Sequence, residues 1–160
     1  MMVTVDTTRF GSLETLEVSE EAIIAFPEGL PGFEDLTEFA LIEDQRFWPF
    51  TWLQPLAQSQ LGFVLMDPAL FIPDYQPEIS DPELISLETV ADDLVELRCI
   101  LVIPSDPKAA TANVKAPILL NRRAQRGKQV ILMDDQYALR HPVFSSTSDE
   151  SLELSASCSS

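Results

Sequence analysis

Twelve prolines, from Pro27 to Pro142, constrain this 160-residue chain more than any other feature of its sequence. A proline fixes its own φ, lacks the N–H that a helix interior or a central ladder requires, and pushes the preceding residue toward extended backbone. The prolines cut the chain into pieces and mark turns or sheet edges, which excludes long helices. Between them lie short apolar or alternating segments with β-branched content, bounded by Pro, Gly, Asn and Asp. These predict strands over 3–10, 13–18, 22–26, 39–42, 50–54, 61–66, 94–103, 118–122 and 130–133. In 94–103, Val95, Leu97, Cys99, Leu101 and Ile103 fall on one face, with Glu96 and Arg98 at the start of the other. A short helical turn is expected after Ser80, because Ser80 and Glu83 have capping-box spacing and Pro82 suits a first turn; Thr89 and Asp92 repeat that spacing. No internal repeat is present. A chain of this length fits one domain with an ordinary core. Many short strands with little helix predict a mainly β, compact, antiparallel barrel-like or roll-like single domain with one or two short helical turns.

Charge restricts the partners of such a fold. The chain carries 26 acidic and 10 basic residues, a formal net charge of −16, and residues 1–97 hold 20 of the acids against only Arg9 and Arg46. Residues 98–141 reverse the balance, with 8 bases and 3 acids. A field of this sign repels phosphate backbones and favours encounter with basic partners, so direct nucleic-acid binding is disfavoured. The alternative reading is that the acidity serves solubility alone. Two cysteines without repeated spacing do not make a disulfide framework, and no stretch approaches the ~20 apolar residues of a membrane span. A signal-peptide apolar core is absent from residues 1–10, and a cytoplasmic location is expected.

No catalytic or metal-binding set emerges. The single histidine, His141, lies between Arg140 and Pro142 without the partners of a triad or a zinc site. Gly127 and Lys128 end like a phosphate loop, but Arg122 stands where that loop needs glycine, and Gln129 replaces its Ser or Thr. Acid pairs such as Glu20 with Glu21 and Asp92 with Asp93 lack the spacing of a calcium loop. Cys99 reads as a small buried hydrophobe. No cofactor is expected, and an enzyme with dispersed acidic residues stands as the alternative function. The basic run Arg122, Arg123, Arg126 and Lys128 reads either as a solvated hairpin tip or as a docking site for an acidic partner segment.

The most distinctive segment is F-P-E-G-L-P-G-F-E, residues 26–34. In its second half, Leu30 to Phe33, proline and then glycine occupy the two central turn positions, which specifies a type II turn with φ > 0 at Gly32. Pro27 and Gly29 make another turn just upstream. Two stiff turns in so short a segment either build a rigid corner that packs into the core or present Phe26 and Phe33 in set directions.

This segment resembles the signature of the flagellar assembly factor FliW family. W-L-Q at Trp52–Gln54, P-D-Y at Pro73–Tyr75, T-A-N at Thr111–Asn113, A-P-I at Ala116–Ile118, G-K-Q-V-I-L from Gly127 and R-H-P at Arg140–Pro142 extend the likeness over residues 3–144, in order. The serine-rich tail and the R-R-A-Q-R hairpin depart from the pattern. The resemblance implies a compact β fold and a non-enzymatic, monomeric regulator that binds flagellin and the RNA-binding translational repressor CsrA. Once flagellin is exported, the freed protein antagonises CsrA and flagellin translation resumes. A structural component of the flagellar apparatus is a further alternative. Phe33, Glu34, Asp74, Tyr75, Asn113, Asn121, Lys128 and Gln129 are the exposed candidates for partner contact.

From residue 145 onward 8 of 16 residues are serine, and Leu152 and Leu154 are the only sizeable apolar groups. Such a segment buries too little surface to offset its ordering entropy, so a domain of residues 1–144 followed by a flexible tail is expected. Deleting residues 145–160 is therefore expected to leave the melting temperature nearly unchanged in a thermal denaturation scan; a fall of more than a few degrees would mean that the tail packs on the domain.

Overall fold

The computed structural model describes residues 1–144, and the serine-rich tail expected from residue 145 lies outside the described residues. The strands are β1 (Met2–Thr7), β2 (Glu14–Ser19), β3 (Ile23–Ala25), β4 (Glu38–Ile42), β5 (Thr51–Pro55), β6 (Phe63–Met66), β7 (Val95–Val102), β8 (Thr111–Ala112), β9 (Ile118–Asn121), β10 (Arg126–Gln129) and β11 (His141–Pro142). Among the described residues a single α-helix, α1 (Asp81–Ser86), follows Ser80 as expected. The order β7-β6-β5-β4-β3-β10-β9, with β9 returning to β7, closes a seven-stranded barrel. Its neighbours are antiparallel except at one seam, where β3 and β10 run parallel for a single registered pair, Ala25 with Arg126. Past its β9 contact, β7 pairs with β8, and β8 pairs with β11. The β1–β2 hairpin forms a separate two-stranded sheet, and Val5 packs against Ala40 and Ile42 of β4.

Alternation along the strands fills the barrel. Phe39 and Leu41 of β4, Leu53 of β5, Leu65 of β6 and Ile118 and Leu120 of β9 meet Ile24, Phe26 and Leu30 in one buried cluster. Removing a side chain of this size from water is worth about 2 kcal/mol. The alternating face of β7 packs elsewhere: Cys99 and Leu101 join Tyr75, Val114, Leu132 and Val143 in a second cluster, while Ile100, on the opposite face, packs against the barrel core. Ile103 falls beyond the end of β7 and is exposed. Burial raises the Cys99 thiol to about 12. Cys99 is therefore a thiol and not a thiolate at neutral pH, which fits a core residue.

Several boundaries differ from the sequence reading. No strand is formed over the expected 130–133; the strand lies just before it, inside the basic run, where Arg126, Gly127, Lys128 and Gln129 pair with Asn121, Leu120, Leu119 and Ile118. No helix forms at Thr89 to Asp92; instead Asp93 Oδ2 accepts the Val90 amide at 2.9 Å. The Ser80–Glu83 capping box is not made either: Ser80 occupies the cap without a side-chain bond, and the Glu83 carboxylate is taken by Lys128 Nζ at 2.6 Å. Four short 3-10 turns went unforeseen, at 20–22, 45–47, 68–70 and 107–109, each capped by the Ser or Asp before it (Ser19, Asp44, Asp67 and Asp106).

The 26–34 corner takes the predicted form. Phe33 N donates to Leu30 O at 2.7 Å with Gly32 at φ +87°, and Gly29 N donates to Phe26 O at 2.8 Å with Gly29 at φ +66°. A Cβ on Gly32 would meet open space, whereas one on Gly29 would lie 2.6 Å from Glu34 Cα. Gly32→Val is therefore expected to lower the unfolding free energy by more than about 1 kcal/mol through backbone strain alone, and Gly29→Val by clearly more, because it adds a backbone collision. Urea denaturation midpoints test this, and an unaltered midpoint for Gly32→Val would remove the type II turn from the account.

Candidate partner-binding surface

The candidate residues fall into four places, one of them Asn113 just after β8. Phe33 and Glu34 lie on the exposed corner, Asp74 is exposed before Tyr75, and Asn121, Lys128 and Gln129 belong to the β9–β10 hairpin. Tyr75 is not an exposed contact residue: it is buried, its hydroxyl donates to Val114 O at 2.6 Å, and burial raises its pKa. Asn121 is buried as well, with Nδ2 donating to Leu87 O at 2.9 Å and to Asp93 Oδ2 at 3.1 Å. Asn113 is half-buried, and its Oδ1 accepts the amides of Lys115 and Ala116, closing a local turn. Half-buried Gln129 donates from Nε2 to Ala116 O at 2.9 Å. These four polar side chains are spent on the fold, since a buried polar group needs its partner inside the protein.

Other motif residues have structural work too. Gln54 accepts from the Thr7 hydroxyl at 2.6 Å and from Trp52 Nε1 at 2.8 Å, while its Nε2 donates to the carbonyls of Pro55, Gln58 and Leu61. One amide thereby ties the β1–β2 hairpin to the loop after β5. A Cβ on Gly127 would lie 2.5 Å from Phe26 Cζ, so this position must lack a side chain for Phe26 to enter the barrel. His141 pairs with Ala112 and sets its ring 5.5 Å from that of Phe71.

The basic run does begin at a hairpin tip, with Arg122 and Arg123 in the β9–β10 turn, but acids from earlier in the chain pair with its charges. Arg122 forks onto Glu43, with NH1 to Oε1 at 3.0 Å and NH2 to Oε2 at 2.8 Å, and its Nε reaches Glu96 at 3.1 Å. That guanidinium holds the Glu43 carboxyl below its ordinary range. Arg123 holds Asp93 at 2.8 Å and lowers it to about 2. Arg126 meets Glu88 at 2.9 Å. Lys128 lies between Glu83 at 2.6 Å and Glu28 at 3.3 Å, and Glu83 raises its pKa. Bidentate arginine pairs of this kind fix geometry as well as charge. Little of the hairpin's positive charge is left for an acidic partner.

Glu34, Asp35 and Glu38 line the exposed end of the corner, and Asp92 is exposed beside the hairpin; none of them forms an ion pair among the described residues. Other exposed acids, Asp6, Glu17, Glu20, Glu21, Asp74, Glu78 and Asp81 among them, likewise form no ion pair among the described residues. Glu34 Oε2 accepts the Gly32 amide at 3.1 Å, so the type II turn positions this carboxylate. Phe33 is 38% exposed and leans edge-on against Phe63 at 5.5 Å. A half-exposed aromatic ring beside three unpaired acids is suited to a partner surface that is basic and partly apolar. Sequence reading found Phe33 and Glu34 through the turn motif but missed the pairing of Glu43, Glu83, Glu88, Asp93 and Glu96. Only the opposite charge of the two halves of the chain signalled it. Among the described residues no helix is long and apolar enough to cross a membrane.

Comparison with known proteins agrees with this architecture. The family model described as FliW protein matches residues 4–143. A flagellar assembly factor FliW of Leptospira biflexa serovar Patoc is 42% identical over 156 residues, covering 96% of this chain and 99% of that protein. One of Thermotoga maritima is 38% identical over 130 residues, covering 81% and 87%. A crystal structure of the flagellar assembly factor FliW superposes with a TM-score of 0.80 at 33% identity, covering 90% of this chain and 99% of that one. With the barrel, the corner and the ordered motifs all in place, the chain belongs to the FliW family of flagellar assembly factors.

Proposed function

We propose that this chain is a non-enzymatic, cytoplasmic binding protein that engages flagellin and the translational regulator CsrA, and that it antagonises CsrA when flagellin is not bound. The observation that carries the reading is the distribution of charge left after folding: the bases of the β9–β10 hairpin are consumed by internal pairs, while Glu34, Asp35, Glu38 and Asp92 remain exposed and unpaired among the described residues. An RNA-binding protein presents a basic surface, and an acidic protein meets it at a steered rate. Once docked, the same carboxylates oppose the approach of RNA phosphates without touching the RNA-binding residues. At physiological salt the Debye length is about 8 Å, so the repulsion reaches past direct contacts and weakens as salt rises. Asp93 contributes little to this field, because Arg123 and Asn121 already hold its carboxylate.

Replacing Glu34, Asp35, Glu38 and Asp92 together by Gln or Asn is therefore expected to impair RNA exclusion more than CsrA binding. CsrA affinity and the RNA retained by the complex are measured at low and at high salt. A neutralised variant that excludes RNA as fully as the parent, at equal CsrA affinity, contradicts the electrostatic mechanism and leaves steric or allosteric blocking to carry the inhibition.

A further inference from the structure

The barrel seam opens an edge that makes no backbone hydrogen bonds among the described residues. After Arg126 the chain no longer pairs with β3, but it stays extended on its other side: Val130 N donates to Pro117 O at 3.0 Å and Leu132 N to Lys115 O at 2.8 Å. The side chains of Val130 and Leu132 are buried. Successive residues of an extended strand direct their backbone groups to opposite edges. Ile131 and Met133 therefore turn their N–H and C=O away from residues 115–117, and neither makes a backbone hydrogen bond among the described residues. Their side chains are 62% and 92% exposed.

Residues 76–80 face this edge across a groove of about 490 Å³. They lie outside helix and strand, and the amides of Gln76, Glu78 and Ile79 likewise have no backbone partner among the described residues. The groove thus has unpaired backbone on both walls and an apolar lining from Val130, Leu132 and half-buried Ile79. Its charged groups are acidic: Glu78 and Asp134 are exposed, and the nearby bases Lys128 and Lys115 are already committed to Glu83 and Asp135. Soluble proteins defend such edges with lysine, proline or a bulge. No lysine or proline occurs in residues 129–141.

We infer that this groove docks an extended segment of a partner protein, which adds a strand along Ile131 and Met133, turns apolar side chains onto Val130, Leu132 and Ile79, and sets basic side chains against Glu78 and Asp134. Backbone pairing supplies the affinity, and the acidic rim selects a basic strand over an acidic one. This surface is separate from the acidic corner and does not depend on which partners that corner meets.

The test uses the full-length protein, isotope-labelled for NMR, with two blocked octapeptides as probes: four Lys-Val repeats and four Glu-Val repeats. The Lys-Val peptide is expected to bind saturably and roughly tenfold or more tighter than the Glu-Val peptide, a difference of about 1.4 kcal/mol. It is also expected to slow hydrogen exchange at the Ile131 and Met133 amides. Ile131→Pro removes an outward N–H at a position where an edge strand tolerates proline, and should abolish binding while the melting temperature shows a folded protein. Should that variant not fold, Glu78→Gln with Asp134→Asn should weaken Lys-Val binding severalfold. Four outcomes overturn the inference: no saturable binding, binding that leaves the Ile131 and Met133 amides unchanged, equal binding of the acidic peptide, or amides already protected in the free protein. Protection in the free protein that rises with concentration assigns the edge to a second copy of the chain, and protection independent of concentration assigns it to the chain's own tail.

Discussion

Closure of this barrel depends on the contact between the Phe26 ring and the bare backbone of Gly127. At the parallel seam a single residue pair joins β3 to β10, too little ladder to hold two strands together. Side chains complete the joint. Phe26 reaches across the seam into the core and meets Phe39 edge-on at 5.0 Å. Gln125, in a left-handed backbone conformation at φ 55°, donates from its side chain to Glu20 O and Ile23 O, and its own carbonyl accepts the Ala25 amide at 2.8 Å. The turn at Pro27 and Gly29 starts immediately after Phe26, so the segment that closes the barrel also sets the exposed corner bearing Phe33 and Glu34. Beyond the seam β10 has no neighbour on that side among the described residues, which is the origin of the open groove along residues 130–133.

Charge follows from the same geometry. The hairpin that brings Gly127 to the seam carries Arg122, Arg123, Arg126 and Lys128, and an unpaired cluster of like charges would resist this packing. Glu43 just after β4, Asp93 just before β7, Glu96 at its start and acids of the α1 region meet these bases one by one at 2.6 to 3.1 Å. Folding therefore separates the carboxylates into two populations. One is tied to the hairpin and serves the structure; the other, unpaired among the described residues, comprises Glu34, Asp35 and Glu38 on the corner, Asp92, and further exposed acids such as Glu17, Glu20, Glu21, Asp74 and Glu78.

How much of this was legible in the sequence depended on the range of the interaction. Turn chemistry is local, so Pro31 and Gly32 specified the corner, and Pro82 with Ser80 placed α1. Period-2 patterning located most strands to within a residue or two, and Cys99 was correctly read as core. The parallel seam was not legible, because it rests on one pair separated by about a hundred residues and marked only by a glycine. Asn113, Asn121 and Gln129 are polar residues among turns and strand ends, and nothing local distinguishes a solvent-facing amide from one satisfied by Leu87 O or Ala116 O. Tyr75 stood among the exposed candidates after the P-D-Y likeness at Pro73–Tyr75, yet the ring enters the second core cluster and its hydroxyl finds Val114 O. The internal pairing of the basic run was hidden for the same reason: its partners lie about 30 to 100 residues away in sequence.

The central claim is that folding leaves this FliW-family chain with an acidic surface made for a basic protein partner. Titration calorimetry of the purified full-length chain against CsrA from the same organism, repeated across a range of salt concentrations and then with flagellin already bound, tests it most directly. The account predicts a saturable complex whose affinity falls as salt rises and which flagellin displaces. Absence of a complex at every salt concentration, or an affinity indifferent to salt, would contradict it.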